Sequence, residues 1–187
     1  MPNTQIIGQV LPIERNEEIL SSTDDKIRRE KFFVWKLLER ALMDFYSSPN
    51  MNLIKKDGNG KWAGLDLQFS LSHSKDLLAV AVSDSLVGVD VQVERPLKNP
   101  RLIEKVFSEL EINAISKLDF DRKTSEIIKL WTKKESTFKM LGGANFLAVA
   151  KTLNVVDTQT FDYELNGAKY YVSVSGAKNI QTIEIKL

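Results

Sequence analysis

Residues 77–93 read LLAVAVSDSLVGVDVQV and carry the strongest indication of how the chain folds. Two apolar runs, Leu77–Val82 and Leu86–Val93, are joined by the three short polar residues 83–85. Valine, leucine and alanine on both sides of a short polar joint are typical of two paired antiparallel strands. The stretch therefore predicts a β-hairpin.

Helical periodicity appears on both sides of this stretch. Apolar residues recur every three or four positions over residues 24–46, 101–117 and 122–141. Acidic and hydroxyl residues offer caps at the start of the first segment, and Gly142-Gly143 ends the last one. Three helices are therefore predicted.

Beyond residue 152 the pattern changes to short β runs. The runs are LNVV, AKYYVSV and IQTIEIKL, with turns expected at Asn166-Gly167 and Ser175-Gly176. A helix, a hairpin, two helices and then strands predict an α+β fold with antiparallel sheet, not a doubly wound parallel fold.

Composition excludes several kinds of protein. Among 187 residues, 26 Lys+Arg against 25 Asp+Glu give a net charge of +1, so a generally basic nucleic-acid binder is not expected. Cysteine is absent, which excludes disulfide scaffolds, zinc–thiolate sites and thiol nucleophiles. Neither a signal peptide nor a run of 18 apolar residues is visible, so we expect a soluble, cytoplasmic protein that does not bind membranes.

Three short segments carry the residues suited to chemistry. His73, the single histidine, lies between two serines and is either a structural residue or a hydrogen-bond donor to phosphate. Strand alternation puts Asp90, Gln92 and Glu94 on one face, which is either the solvated face or the start of a magnesium site. The segments are FSLSHS at 69–74, VGVDVQVE at 87–94 and WTKKESTFK at 131–139.

Taken in order, these segments resemble the 4'-phosphopantetheinyl transferase superfamily. The V-G-V-D strand, the W-T-K-K-E-S-x-x-K helix and the F-S-x-x-E element at 107–111 are similar to the family's motifs. The length resembles the larger, surfactin-synthetase-type group. That resemblance implies a pseudo-dimer of two similar lobes, residues 1–85 and 86–187, each an antiparallel sheet packed with helices. Coenzyme A and the active site would lie between the lobes.

The resemblance also implies an activity. The family transfers 4'-phosphopantetheine from coenzyme A to a serine of an apo acyl or peptidyl carrier protein and releases adenosine 3',5'-bisphosphate. It implies Mg²⁺, with Mn²⁺ as a possible substitute, held by Asp90 and Glu135 and in part by Gln92. Glu135, Lys139 and Lys134 would be catalytic, with Lys134 either positioning the pyrophosphate or stabilising the loop. Glu135 would take the serine proton directly or through a metal-bound water.

Coenzyme A would be bound by basic and hydroxyl side chains. The resemblance assigns coenzyme A to Ser72, His73, Lys61 and Lys139, to Lys31 at the 3'-phosphate, and to Asp90, whose metal ion would bridge the pyrophosphate. Gln92 departs from the larger family members, which often have a carboxylate there. Either its carbonyl or a water completes the metal site, and weaker Mg²⁺ binding or greater Mn²⁺ tolerance is expected.

A non-catalytic module that binds coenzyme A or a carrier protein is the alternative. Gln92 favours it, whereas Asp90, Glu135 and Lys139 together favour catalysis. In either case we expect a monomer that receives its acidic carrier-protein partner at residues 101–121.

Overall fold

The computed structural model describes residues 3–9, 26–45, 49–58, 61–97 and 99–186, with side chains from residue 32 onward except at 121, 185 and 186. In chain order its elements are β1 (Asn3–Gln9), α1 (Lys26–Leu42), a 3₁₀ turn (Met51–Leu53), β2 (Lys55–Lys56), β3 (Trp62–Ala63), β4 (Gln68–Ser74), β5 (Leu77–Ser83), β6 (Gly88–Val93), α2 (Arg101–Val106), α3 (Glu109–Ser116), α4 (Phe120–Leu141), α5 (Phe146–Val149), a second 3₁₀ turn (Ala150–Thr152), β7 (Thr158–Leu165), β8 (Ala168–Ser175) and β9 (Ile180–Lys186).

Two sheets form the framework of the described chain. One has the strand order β4-β5-β1-β9 and the other the order β6-β8-β7, while β2 and β3 form a separate small pair. All strand pairs are antiparallel except β1 with β9, which is parallel. Helix α1 packs on the first sheet and α4 on the second. The predicted α+β class with antiparallel sheet is confirmed.

The hairpin predicted for residues 77–93 is wrong, because strand β5 lies at the centre of the core and pairs with other strands. All seven of its residues are buried, so both of its faces need partners. Leu78, Val80 and Val82 pack with α1, and the alternate residues Leu77 and Ala79 pack against the valines of the second sheet. β5 pairs with β4 and β1, and β6 crosses to the other sheet and pairs with β8. A short polar joint alone does not decide which strands pair.

Two further predictions need correction. The segment 101–117 is two helices, because Ser108 caps α3 in a capping box with Glu111: the Ser108 N–H donates to the glutamate at 2.6 Å and the Glu111 N–H to the serine hydroxyl at 3.3 Å. The LNVV run at 153–156 is not a strand. The first and last helices agree with the prediction within their described residues, and Gly142 ends α4 with a φ of 79°. The caps expected at 22–25 lie outside the described residues.

Serine side chains join the two sheets at their edges. Alternate residues of β4 present hydroxyls that accept hydrogen bonds from alternate backbone N–H groups of β6, whose other edge pairs with β8. These bonds join Ser70 to Val89, Ser72 to Val91 and Ser74 to Val93, at 3.0, 3.1 and 3.0 Å. We call these three residues the serine ladder. It satisfies two buried N–H groups and one partly buried N–H group on the edge of β6 that faces away from β8.

Small residues allow α4 to lie very close to the second sheet. A Cβ atom added at Gly88 would lie 1.9 Å from the Ser136 carbonyl oxygen, so only glycine fits there. Hydroxyl pairs cross the same interface, Thr132 with Ser173 and Ser136 with Ser175, both at 2.8 Å. This close approach brings the inner face of α4 to β6.

The last strand departs from the predicted lobe division. Residues 180–186 pair with β1 in the first sheet, although the division at residue 85 assigns them to the second lobe. Among the described residues, none of the helices combines the length and apolar character needed to cross a membrane.

We predict that Ser70→Ala lowers the free energy of unfolding by about 1–3 kcal/mol, because it leaves the buried Val89 N–H without an acceptor. Urea denaturation measures the change. Ser116→Ala is the matched control, since its hydroxyl lies on an exposed helix face and donates to the Asn113 carbonyl. Equal effects of the two substitutions would contradict the role given to the serine ladder.

Candidate active site

Asp90 is the centre of a polar cluster where β4, β6 and α4 meet. The side chain, on β6, is almost fully buried, with a relative exposure of 1%. Its Oδ1 accepts hydrogen bonds from the Ser72 hydroxyl at 2.8 Å and the Lys139 ammonium at 2.7 Å. Lys139 also donates to the Ser72 oxygen at 3.0 Å. The buried carboxylate is therefore paired with a cation, as burial of a charge requires.

Gln92 and Glu135 extend this cluster. Gln92 follows Asp90 by two residues on β6, and Glu135 lies one helical turn before Lys139 on α4. The Gln92 amide nitrogen is 3.3 Å from Glu135 Oε2 and 3.5 Å from Asp90 Oδ2. The structure thus brings together five of the residues predicted for the site, which are Ser72, Asp90, Gln92, Glu135 and Lys139.

Glu135 is held in an environment that disfavours its charge. Burial and the nearby Asp90 carboxylate raise the pKa of Glu135 from 4.5 to about 7, while Lys139 and the Trp131 indole act in the opposite direction. The indole N–H donates to Glu135 Oε2 at 2.6 Å. The Trp131 ring also packs on Phe146, with the centroids 5.6 Å apart. In the sequence, the i, i+4 spacing of Trp131 and Glu135 was the signal that could have predicted the hydrogen bond from the indole to Glu135.

The donor set fits a divalent cation. Asp90 and Glu135 supply carboxylate oxygens, and the Gln92 side chain has an amide oxygen, all ligands that Mg²⁺ prefers. Across the described residues no group of three or more His, Cys, Asp or Glu side chains could hold a metal ion. Two carboxylates with substrate phosphates and waters are nonetheless a usual Mg²⁺ environment.

Lys134 lies away from this cluster. Its ammonium, on a side chain that is 1% exposed, donates to the Ala150 carbonyl at 2.8 Å and lies 3.0 Å from Glu111 Oε2. Glu111 is the same residue that closes the capping box of α3. Lys134 therefore connects α4 to α3 and to the turn at residue 150, which fits the loop-stabilising alternative of its two expected roles.

Lys61 and Lys139 line one cavity between strand β4 and the C-terminal end of α4. The cavity has a volume of about 200 Å³ and is also lined by Ser70 and the Gly142-Gly143 turn. The Lys61 ammonium donates to the Met140 carbonyl at the end of α4, at 3.2 Å, and burial lowers its pKa.

His73 lines a second, larger cavity. This cavity has a volume of about 530 Å³ and is bordered by Gln92, Lys75 and Arg95. No sequence motif indicated the two basic residues. Lys75 has a φ of 53°, unusual for a residue with a side chain. The side chain of Lys31 lies outside the described residues, so its expected contact with coenzyme A stays a prediction.

Glu94, on the same strand face as Asp90 and Gln92, is turned to another partner. Its carboxylate accepts a hydrogen bond from the Tyr171 hydroxyl. Burial and the neighbouring carboxylates hold the Tyr171 pKa well above its usual range. Tyr171 therefore stays protonated and remains a donor to Glu94.

Known proteins resemble the sequence that carries these elements. Residues 86–178, which include β6 and α4, match the family model of the 4'-phosphopantetheinyl transferase superfamily. The 4'-phosphopantetheinyl transferase AcpT of Salmonella typhi is 30% identical over 151 residues, covering 78% of this chain and 77% of that protein. AcpT of Escherichia coli K12 is 35% identical over 127 residues, covering 66% and 63% of the two proteins.

A third relative is a protein of Aneurinibacillus migulanus. The 4'-phosphopantetheinyl transferase gsp of Aneurinibacillus migulanus is 27% identical over 133 residues, or 70% of this chain. The match spans only 56% of the length of the gsp protein. The fold and the cluster at Asp90 define a two-sheet α+β protein with a carboxylate–lysine site. On these matches, the chain belongs to the 4'-phosphopantetheinyl transferase superfamily.

We predict that Glu135→Gln reduces the pH dependence of stability in the metal-free protein. Between pH 4.5 and about 7 the folded protein keeps a proton on Glu135 that the unfolded chain releases, so the wild type loses stability as the pH rises. In EDTA, between pH 4.5 and 8, the wild type is expected to lose roughly 2 kcal/mol more than the variant, after allowance for solvent screening. Urea denaturation at several pH values measures this.

Glu164→Gln makes the same chemical change on an exposed strand position and is the control. Identical pH profiles for the wild type and Glu135→Gln would refute the assignment of this proton to Glu135.

Proposed function

We propose that the chain transfers the 4'-phosphopantetheine group of coenzyme A to a serine of an apo carrier protein and releases adenosine 3',5'-bisphosphate. The observation that carries the proposal is the 2.7 Å contact of Lys139 with Asp90, one turn from Glu135, in a chain of this superfamily. The relatives are named as 4'-phosphopantetheinyl transferases, which supports the same reaction here.

A Mg²⁺ ion, or Mn²⁺ in its place, completes the proposed site. Asp90 and Glu135 would hold it, together with the Gln92 carbonyl or a water. When bound, the ion neutralises charge on the pyrophosphate of coenzyme A. The oxygen donor set described above supports this choice of ion.

The chain's own residues supply the remaining steps. The carrier serine oxygen forms a bond to the phosphorus that carries pantetheine, and the bond from that phosphorus to the bridging oxygen breaks. Glu135 receives the serine proton directly or through a water. Lys139 neutralises charge that develops on the pyrophosphate oxygens, and the leaving adenosine 3',5'-bisphosphate retains the bridging oxygen.

Coenzyme A is proposed to lie between the lobes 1–85 and 86–187. The sheet of the first lobe also includes β9 from the end of the chain. Ser72 and His73 from β4 would contact its phosphates, with Lys61 and Lys139 on the other side and Lys31 at the 3'-phosphate. The shared cavity of Lys61 and Lys139 supports this location, as does the contribution of both sheets to the cluster at Asp90.

The carrier protein is proposed to contact residues 101–121, as a partner of a monomeric, cytoplasmic enzyme. Leu110, near the middle of this region, and Phe120, at its end, are 82% and 89% exposed. Exposed large apolar side chains of this kind are typical of protein contact surfaces.

A non-catalytic module of the same fold is the second candidate, and the amide at position 92 favours it. Such a module would bind coenzyme A or the carrier protein without forming the new bond. The two candidates differ in whether the carrier serine gains mass.

We predict that incubation with coenzyme A, Mg²⁺ and a panel of apo carrier proteins adds phosphopantetheine to a carrier serine, measured by mass spectrometry. Glu135→Gln and Lys139→Met are each expected to slow transfer by about 100-fold or more, because each removes a group that acts on the transferred proton or charge.

Lys133→Met is the matched control for Lys139→Met, since it removes an ammonium from the same helix outside the cluster. It is expected to transfer at the wild-type rate. A wild type that binds coenzyme A but modifies no carrier would favour the non-catalytic module.

A further inference from the structure

Exposed apolar side chains are concentrated in one part of the chain. Among the described residues, most of the large apolar side chains that are exposed lie between residues 110 and 156. Three of them, Leu141, Leu147 and Val149, stand at the end of α4 and on α5 and are 57%, 43% and 40% exposed. Single exposed apolar residues are normal on a protein surface, whereas a group of them is typical of a contact surface.

The turn and the short helix that follow α4 are folded back against it. A Cβ atom added at Gly143 would lie 2.6 Å from the Phe138 ring, and Phe138 packs on Phe146 of α5 with the ring centroids 5.6 Å apart. Phe146 is half-buried and holds α5 against α4, while its neighbours Leu147 and Val149 stay exposed. We call residues 141–151 the α5 surface.

The α5 surface adjoins the candidate active site. Its Gly142-Gly143 turn lines the cavity that also contains Lys61 and Lys139. The buried Lys134 ammonium donates to the Ala150 carbonyl at 2.8 Å, which fixes the far end of the surface to α4. A protein bound to the α5 surface would therefore stand beside this cavity and on a support attached to the helix of the site.

Charge distinguishes the α5 surface from the region at 101–121. Residues 101–121 contain three Lys or Arg against five Asp or Glu, so on balance they repel an acidic partner. Residues 136–156 contain no Asp or Glu and two lysines, Lys139 and the exposed Lys151. Helix α2 contacts α5 and the 3₁₀ turn after it, so the two regions are neighbours. The α5 surface supplies the positive charge that the first region lacks.

We infer that the acidic carrier protein docks on the α5 surface, with apolar side chains against Leu147 and Val149 and carboxylates near Lys151. This inference rests on the proposed function, which supplies the partner and its charge. It extends the carrier contact proposed at 101–121 to the end of α4, so that the bound carrier lies next to the helix whose residues act on its serine. Complementary charge at the edge of such a contact steers the partner and fixes its orientation.

The experiment measures carrier affinity without transfer. The probe is an apo carrier protein whose acceptor serine is replaced by alanine, titrated calorimetrically. It is the carrier that gains mass in the mass-shift assay or, if none does, each carrier of the panel in turn. The proteins are the wild type, Leu147→Asp, Lys151→Glu and the control Leu53→Asp. Leu53 is an exposed apolar residue of the first 3₁₀ turn, outside both carrier-contact regions, so the control adds the same charge elsewhere.

Leu147→Asp is expected to weaken carrier binding about tenfold, because it places an unpaired charge within the apolar part of the contact. Lys151→Glu is expected to weaken binding about threefold at low ionic strength and less at high ionic strength, since salt screens an exposed charge. Both variants are expected to bind coenzyme A as the wild type does, and in the transfer assay to raise the KM for the carrier more than they lower kcat. Leu53→Asp is expected to match the wild type throughout.

Unchanged carrier affinity in Leu147→Asp and Lys151→Glu would overturn the inference, as would an equal loss in Leu53→Asp. Sedimentation adds a further outcome: a wild-type dimer that Leu147→Asp dissociates, with carrier affinity unchanged, would assign the α5 surface to a second copy of the chain. Transfer by the wild type with unaltered binding in the variants overturns the inference alone. The expected binding pattern without transfer by the wild type overturns the proposed function alone, and a wild type that binds no carrier overturns both.

Discussion

Three serine hydroxyls connect two sheets that share no backbone ladder, and the position of the polar cluster at Asp90 depends on them. Without the serine ladder, the N–H groups of Val89 and Val91 would be buried without acceptors, at a cost of about 1–3 kcal/mol each, and the partly buried Val93 N–H would also lose its acceptor. The same bonds fix which residue of β4 lies beside which residue of β6. The middle serine, Ser72, therefore stands next to Asp90 and donates to it. One hydroxyl thus sets the strand register and also orients a carboxylate.

The third element of the cluster is positioned by close packing. Glycine at position 88 and the hydroxyl pairs of β8 allow α4 to approach the second sheet so closely that Glu135 and Lys139 reach β6. Lys134 then fixes the helix on its opposite side, where its buried ammonium contacts Glu111 and the Ala150 carbonyl. Removing one partner of such a buried pair is far more costly than the pair itself is worth. The two adjacent lysines of the helix motif thus differ in environment, since Lys134 is buried and Lys133 is half-buried.

Local signals predicted the helices, but pairing between strands was not readable from the sequence. The apolar periods of α1 and α4 are properties of contiguous residues, and both helices formed where expected. The pairing of β5 depends on which distant residues cover its two faces, and a short polar joint carries no information about that. The break at Ser108 was encoded in its S-x-x-E capping box, yet the apolar period continued across it and masked the signal.

The same contrast holds for the candidate site. Motif spacing placed Asp90, Glu135 and Lys139 in the correct elements, because each motif lies within one strand or one helix. It did not indicate the indole bond to Glu135 or the inward burial of Lys134, which depend on how the helix is rotated against the second sheet. Rotation is set by packing partners that are far away in sequence.

The parallel pairing of β9 with β1 has a consequence for the order in which the protein folds. Strands β6 to β8 and helix α4 come from the contiguous stretch 88–175. Most of the polar cluster at Asp90 can therefore assemble from neighbouring segments. The sheet that carries Ser72 is different, since β1 pairs with β5 on one side and with residues 180–186 on the other. Closing such distant contacts is slow because a long loop must be ordered first. During synthesis, the half with the carboxylates can therefore form while the sheet that orients them still awaits its final strand.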